Sequence, residues 1–268
     1  MRAALIGVSF APSTFRRMRP FIGIPIALFA AATLAACGGS NQPSAGPSAA
    51  TGNATPSPVV TTSPDSANFD GHVVDNPWFP LVPGMTWTYR GVKDGEPSRE
   101  IMIATSATKT IQGVPCTAVS DKLYLSGKLE ERTTDYYAQD NEGNVWYFGE
   151  NTAELKPNGQ VKNTEGSWQA GRDGAVAGIF MPATPQVGQA FRQEYYKGQA
   201  EDHFRILSLN EQVKTPGASS DQAMLTMEWT PLEPNVIDHK YYVRGIGTVL
   251  EKTAKGPTER NTPTSFRK

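Results

Sequence analysis

The chain has 268 residues, of which 19% are charged and 38% hydrophobic, and its formal net charge at pH 7 is −1. Because it contains no basic block, nucleic acid and electrostatic docking on anionic lipid are disfavoured as partners. The length allows one folded domain with a substantial core plus further segments. No His-x-His, His-Glu-x-x-His or Cys-x-x-Cys spacing occurs, so the sequence predicts no metal site and no cofactor.

The N-terminal segment carries an apolar run that ends in a cysteine. Arginines precede residues 21–36, which contain no charge, and the run closes with Leu34-Ala35-Ala36-Cys37. A bilayer-spanning helix needs about 20 apolar residues, so a run of this length favours a signal peptide over residues 1–36. The alternative is an uncleaved anchor helix.

The four closing residues resemble the lipobox of bacterial lipoproteins. This resemblance implies cleavage before Cys37 and acylation of Cys37 with chains such as palmitate. It further implies an extracytoplasmic protein, anchored to a membrane of the cell envelope by lipid. Without residues 1–36 the chain has 21 basic and 26 acidic residues, a net charge of −5.

Composition divides the rest of the chain into three parts. Residues 37–68 are predicted to be the lipidated Cys37 followed by a disordered linker, because Ser, Thr, Pro, Ala and Gly dominate and Asp65 is the one charge. Residues 69–253 contain all five Trp and all nine Tyr and are predicted to form a globular domain. Residues 254–268 are polar, contain two Pro, and are predicted to be a flexible tail.

Short alternating runs punctuated by Gly predict a mainly β domain. The strongest hairpin signal joins residues 129–139 to residues 145–148 through Asp140-Asn141-Glu142-Gly143-Asn144. Sequential runs with short turns favour an antiparallel meander, hence a single curved sheet, half-barrel or barrel. Residues 165–188 break the rhythm, and we expect them to form a long Gly-rich loop that covers one end of the sheet.

Several segments between residues 75 and 250 together resemble a family of uncharacterised bacterial secreted proteins and lipoproteins. They are Tyr136–Asp140, Gly143–Glu150, Glu165–Trp168, Met181–Ala183, Arg192–Tyr196 with Ala200–Asp202, and residues 77–81. The resemblance implies no activity, substrate or catalytic residue. The closing run Tyr241–Val249 also resembles the last strands of β-rich envelope lipoproteins, some of which are similar to half-barrels that carry acyl chains.

Aromatic residues are the candidates for ligand binding. Trp146 and Phe148 share one face of the predicted hairpin, and Trp168, Phe180 and Met181 lie in the predicted loop. We expect these five residues to line a concave site for an apolar or amphipathic ligand. The primary hypothesis is therefore a non-enzymatic, lipid-anchored binding protein.

Two alternatives remain open. A cell-envelope hydrolase would use carboxylates in catalysis, and the candidates are Glu194, Glu201, Asp202, Glu228 and Glu233. A structural or protein-interaction module needs no such site. No nucleophile motif is present and Cys116 has no thiol partner once Cys37 is acylated, so the sequence assigns no catalytic residue and predicts a buried Cys116. His239 shares its strand parity with apolar residues, which favours a core histidine over a metal ligand.

Overall fold

The structure, a computed structural model, describes residues 57–93, 95–257 and 259–268. Within these ranges the chain is mainly β and contains no α-helix, which confirms the predicted fold class. No helix in this part of the chain is long and apolar enough to cross a membrane. The predicted signal peptide, Cys37 and most of the predicted linker lie outside the described residues.

All strands belong to one curved sheet. In chain order they are β1 (Val59–Val60), β2 (Thr86–Lys93), β3 (Glu96–Ile111), β4 (Val114–Leu125), β5 (Lys128–Gln139), β6 (Val145–Leu155), β7 (Val161–Asn163), β8 (Trp168–Gln169), β9 (Val176–Met181), β10 (Ala190–Arg192), β11 (Glu194–Tyr195), β12 (His203–Thr215), β13 (Ala218–Trp229), β14 (Ile237–Val243), β15 (Gly247–Lys255) and β16 (Arg260–Arg267).

The sheet is a meander over most of its width. Its strand order is β1-β10-β12-β13-β14-β15-β16-β2-β3-β4-β5-β6-β9-β11, with β7 and β8 paired to β6. All pairs are antiparallel except β1 with β10. The hairpin predicted around Asp140 joins β5 to β6, and the Asp140 carboxylate accepts hydrogen bonds from the backbone N–H groups of Glu142 and Asn144.

The two ends of the sheet approach each other without closing. Residues 190–195 contribute β10 to one end and β11 to the other, so one short segment belongs to both. Gly178 of β9 lies so close to this segment that an added Cβ would be 2.2 Å from the Arg192 carbonyl oxygen. The described sheet is therefore an open, strongly curved half-barrel.

One end of the half-barrel is covered by residues 69–85. The Asn76 side-chain amide donates to the carbonyls of Gly143 and Pro182, and the N–H of Gly245 donates to the Pro77 carbonyl. Trp78, Phe79 and Leu81 of this segment join the core that fills the inner face. We call this the covered end, and the opposite end, with the turns at residues 126–127 and 156–160, the polar end.

Three boundaries differ from the sequence predictions. Residues 165–188 were expected to be a loop without regular structure, but they contain β8 and β9, which pair with β6, and Gly171 packs against Gln112. Residues 254–268 are not a tail, because Arg260–Arg267 form β16 between β15 and β2. The end of the predicted disordered linker is also placed, since Val59–Val60 pair with β10.

Candidate functional site

Carboxyl groups line the inner face of the half-barrel toward its polar end. We call this set the acidic face. Its described members are buried, between 0 and 8% exposed, and are Glu100, Asp121, Glu131, Asp135, Glu150, Glu154, Glu228, Asp238, Glu251 and Glu259. Lys93, Lys240 and Asn261 are buried among them. Every strand from β13 through β16 and from β2 through β6 thus supplies a buried polar or charged group.

The acidic face arises from strand alternation. Successive side chains of a strand point to opposite faces, so residues two apart share a face. In β3, Glu100 follows the parity of Met102 and Ala104, both of which are buried in the core. The inner face is therefore apolar near the covered end and acidic near the polar end of the same strands.

Lys240 is the cationic centre of one side of the acidic face. Its Nζ lies 2.8 Å from Glu228 Oε2 and 3.7 Å from Glu251 Oε1, and the lysine is 1% exposed. Tyr242 Oη also donates to Glu228, at 3.0 Å. Burial alone would lower the pKa of Lys240, but the two carboxylates together raise it well above its ordinary value. This lysine is held charged in the interior.

Glu100 and Asp121 form a carboxyl pair on adjacent strands. Burial is the main cause that raises the pKa of both groups, and the mutual repulsion of their charges raises the pKa of Asp121 further. Asn261 Nδ2 donates to Glu100 Oε2 at 3.4 Å.

The other side of the acidic face is organised around Tyr147. Its hydroxyl donates to Asp135 Oδ1 at 2.7 Å and approaches Glu150 Oε2 at 3.3 Å. Burial raises the pKa of Asp135 well above its ordinary value, although the Tyr147 hydrogen bond opposes this change. Burial also raises the pKa of Glu131 to about 7, despite the nearby charge of Lys93. The Glu131 carboxyl is therefore poised to exchange a proton in the neutral range.

A small cleft opens where the acidic and apolar parts of the inner face meet. Its lining combines two carboxyls and an amide with apolar and aromatic side chains: Glu100, Glu251, Asn261, Thr248, Phe79, Tyr89 and Met102. The part that a solvent molecule can enter measures about 20 Å³, which is room for one or two waters. Although carboxyls are numerous, no three described ligand-type side chains are placed to hold a metal ion.

The five residues predicted to bind an apolar ligand are all buried in the core, each at most 6% exposed. Trp146 and Phe148 pack against the Phe69 ring, at centroid distances of 6.4 and 5.6 Å. Trp168 meets Tyr147, and Phe180 packs on Phe79 and Tyr137. Trp146 and Phe148 thus share one aromatic neighbour, Phe69, whereas Trp168 and Phe180 contact other rings. The role of the five residues in ligand binding stays a prediction.

Three of the acids considered for hydrolysis, Glu194, Glu201 and Glu228, have different contacts. Glu194 is buried, and its charge acts on Tyr137 and Tyr147, whereas Glu228 pairs with Lys240. Glu201 accepts a hydrogen bond from the Gly198 N–H and so caps a turn. Glu228 is thus the one of these candidates with a described ion pair in the acidic face.

Cys116, His203 and His239 have contacts typical of structural residues. Cys116 is buried as predicted, and burial raises the pKa of its thiol to about 12. His203 stacks on Trp229 with ring centroids 5.5 Å apart. His239 is half-buried beside Lys252, its cross-strand partner, rather than inside the inner core.

Sequence reasoning missed most of the acidic face, although a signal was present. Five acidic residues are each next to a basic residue in or beside a strand: Arg99-Glu100, Asp121-Lys122, Glu131-Arg132, Glu251-Lys252 and Glu259-Arg260. In a strand such a pair must place opposite charges on opposite faces. Each pair alone is typical of a solvated strand. The acidic face can be recognised only when the pairs are aligned across the sheet.

No protein-family model matches the chain, and no curated protein matches it either. Two solved structures show a similarity. One, from Bacteroides fragilis, is described as an exported protein with a YmcC-like fold; it is 14% identical, with a TM-score of 0.41, over 71% of this chain and 99% of the other. The second, from Parabacteroides distasonis, is described as a lipoprotein; it is 12% identical, with a TM-score of 0.38, over 72% of this chain and 99% of the other.

Proposed function

We propose that this chain is a lipid-anchored extracytoplasmic protein whose inner sheet face binds a small amphipathic ligand that carries a primary ammonium group. The N-terminal part of the proposal rests on residues 1–37, an apolar run that ends in a lipobox-like tetrapeptide. The observation that carries the ligand part is the cleft, in which carboxyls and an amide face apolar side chains across a space for one or two water-sized groups.

Charge favours a cationic group at this position. A buried carboxylate is costly unless a cation or a proton compensates it. Lys240 contacts Glu228 more closely than Glu251, at 2.8 against 3.7 Å, so Glu251 is the less fully compensated of the two. Burial raises the pKa of Glu251 to about 8, so this group releases a proton readily when a cation arrives near pH 7.

Size and shape favour an ammonium group attached to a short apolar chain. The space that solvent can enter, about 20 Å³, suits a group the size of water, and a primary ammonium is of that size. Met102, Phe79 and the Tyr89 ring offer the adjoining apolar surface. For the amphipathic ligand expected from the sequence, the cleft therefore favours a primary ammonium as the polar group.

The test compares three probes that share one chain length: butylamine, butanol and butyrate. The full-length protein in a neutral detergent is titrated with each by calorimetry at pH 7, in two buffers that differ in protonation enthalpy. We expect binding of butylamine with proton release, and at least tenfold weaker binding of butanol and butyrate.

Two variants, both of which replace glutamate with glutamine, locate the binding site. Glu100→Gln with Glu251→Gln should reduce butylamine affinity at least tenfold, whereas Glu96→Gln, an exposed carboxyl outside the cleft, should not change it. Binding of butanol as tight as that of butylamine, or butylamine binding that survives the double substitution, would overturn the proposed ligand class.

A further inference from the structure

Basic side chains form a row on the outer face of the half-barrel, opposite the acidic face, with one gap at Met227 of β13. We call this row the basic band. On β12 through β16 it consists of Arg205, His239, Lys252 and Arg260. On β2 through β5 it consists of Arg90, Arg99, Lys122 and Arg132. Its members alternate in sequence with the buried inner positions, so their side chains belong to the outer face.

Strand register aligns the first half of the basic band. Arg205 is opposite Met227, which is opposite His239, and His239 is opposite Lys252. Lys252 is in turn opposite Arg260. These are directly paired positions on five adjacent strands, so the side chains stand side by side across the sheet.

The second half continues the row with small offsets. Arg90 is two residues from Val92, the partner of Arg260, and it is directly opposite Arg99. Lys122 is two residues from Tyr124, the partner of Arg99, and it is opposite Arg132. The basic band therefore crosses nine adjacent strands, from β12 to β5, a path of about 38 Å at roughly 4.8 Å per strand.

One acidic side chain shares this path: Glu130 of β5 has the outer-face parity of Arg132 and lies two residues from it. The other described Asp and Glu of these nine strands occupy inner positions, the first residue of a strand, or the distal half of the β12–β13 hairpin. Arg90, Lys122, Arg132 and Arg260 are exposed. The basic band thus combines seven Arg and Lys side chains with His239, whose pKa burial lowers so that it is neutral at pH 7, while ten carboxyls are buried on the inner face.

Aromatic rings lie beside the cations. The Arg99 guanidinium is 4.3 Å from the centroid of the Tyr124 ring, and Lys252 Nζ is 5.3 Å from that of Tyr241. These contacts hold the aliphatic stems against the sheet and leave the charges directed outward. Arg205 also donates to the Ser57 carbonyl, so the segment that leads to the N-terminus lies at one end of the basic band.

The shape of this surface decides between two kinds of anionic partner. A flat membrane touches a convex surface along a narrow zone. It would leave most of the curved row, about 38 Å long, out of contact. A flexible linear polymer with a negative charge every few ångströms can follow the curve and meet successive cations. Charge complementarity and curvature together favour the polymer.

We propose that the basic band binds a linear polyanion, an acidic polysaccharide or a phosphodiester-linked polymer, wrapped across the outer face. This surface lies on the other side of the sheet from the proposed ammonium site, and neither proposal depends on the other. Binding exchanges small counterions for protein cations, so affinity should fall steeply with salt.

The test uses fluorescently labelled polygalacturonate and polyphosphate, which separate the carboxylate and phosphate sources. Their binding to the full-length chain in a neutral detergent is followed by fluorescence anisotropy at 50–200 mM NaCl. The band variant combines Arg90→Gln, Arg99→Gln, Lys122→Gln and Arg132→Gln. The matched control combines Lys156→Gln, Lys197→Gln, Lys214→Gln and Arg267→Gln, four exposed bases outside the basic band.

We expect the band variant to bind each polymer at least tenfold more weakly at 100 mM NaCl. The slope of log K, the binding constant, against log salt concentration should become shallower by about 3, because four contacts are lost. The control should retain the affinity and slope of the unmodified chain. Circular dichroism shows that each variant is folded. Equal loss in both variants, no binding of either polymer, or preferential binding of phosphatidylglycerol vesicles would each overturn the proposal.

Discussion

Arg99 and Glu100 are neighbours in β3, yet the Arg99 guanidinium lies over Tyr124 on the outer face while the Glu100 carboxyl is buried on the inner face. The same separation recurs in β4 with Asp121 and Lys122. Repetition of this arrangement across a curved sheet concentrates like charges on the inside, where the low dielectric strengthens their repulsion. Protonation of the acidic face therefore contributes to the stability of the fold.

The first prediction concerns the pH dependence of stability. Burial raises the pKa of Glu131 to about 7 from an unfolded value near 4.5, so between these limits the native state binds more protons than the unfolded state. The free energy of unfolding must then fall as pH rises, by about 1.4 kcal/mol per pH unit for this one group. Urea unfolding at pH 5, 6, 7 and 8, followed by tryptophan fluorescence, measures the slope.

Substitution at the same position isolates this contribution. Glu131→Gln should flatten the slope and raise the free energy of unfolding at pH 8 relative to the unmodified chain. Glu96→Gln, at an exposed carboxyl, should leave the slope unchanged. A stability that rises between pH 5 and 8 would show that the acidic face is charged and well compensated in the native state.

The second prediction concerns Lys240. Replacement by Met leaves Glu228 and Glu251 without the cation that lies 2.8 and 3.7 Å from them. We expect the free energy of unfolding to fall by about 3–5 kcal/mol at pH 8, because breaking one side of a buried ion pair strands the other. The loss should be smaller at pH 5, because burial raises the pKa of Glu251 to about 8 and a proton then neutralises this carboxyl.

A double variant separates charge from packing in this case. Lys240→Met combined with Glu228→Gln should recover part of the stability lost at pH 8. If the single variant loses the same free energy at pH 5 and pH 8, the effect is one of packing, and the electrostatic account of Lys240 is wrong.

Local pattern was sufficient for the class of fold and for several hairpins. Alternation and turn residues such as Asp140 and Gly143 act over a few residues, so β5 and β6 could be predicted together with their turn. The curved meander follows from the short connections. These features depend on nearest neighbours in the sequence.

Long-range pairing could not be predicted in the same way. The polar sequence of Arg260–Arg267 is typical of a tail. It forms a strand only because β15 and β2 lie on either side of it in the sheet, and β2 is far away in the sequence. Likewise, Glu100 resembles a solvated residue until Asp121 and Asn261 are brought beside it. The acidic face is a property of register across the sheet.

The third prediction concerns the membrane anchor. Cys37→Ser removes the thiol that the lipobox resemblance marks for acylation, so the protein should move from the membrane fraction to the soluble fraction. Metabolic labelling with an alkyne palmitate analogue should label the unmodified chain and not this variant. Cys116→Ala, at a buried free thiol, is the matched control and should remain labelled and membrane-bound. Label on the Cys37→Ser variant would contradict the anchor assignment.

The fourth prediction concerns β16, which pairs with β15 on one side and with β2 on the other. Removing residues 260–268 breaks the hydrogen-bonded ladder in the middle of the sheet and exposes two long strand edges, which promote aggregation. The Asn261 side chain, which contacts Ser98 and Glu100 on the inner face, is lost as well. We expect a protein that is largely insoluble or unfolds without a cooperative thermal transition. Removal of Lys268 alone should change the melting temperature little, because this residue follows the last strand. A truncated chain that unfolds cooperatively, at the melting temperature of the full chain, would mean that the last residues are a tail and that β15 and β2 do not require a strand between them.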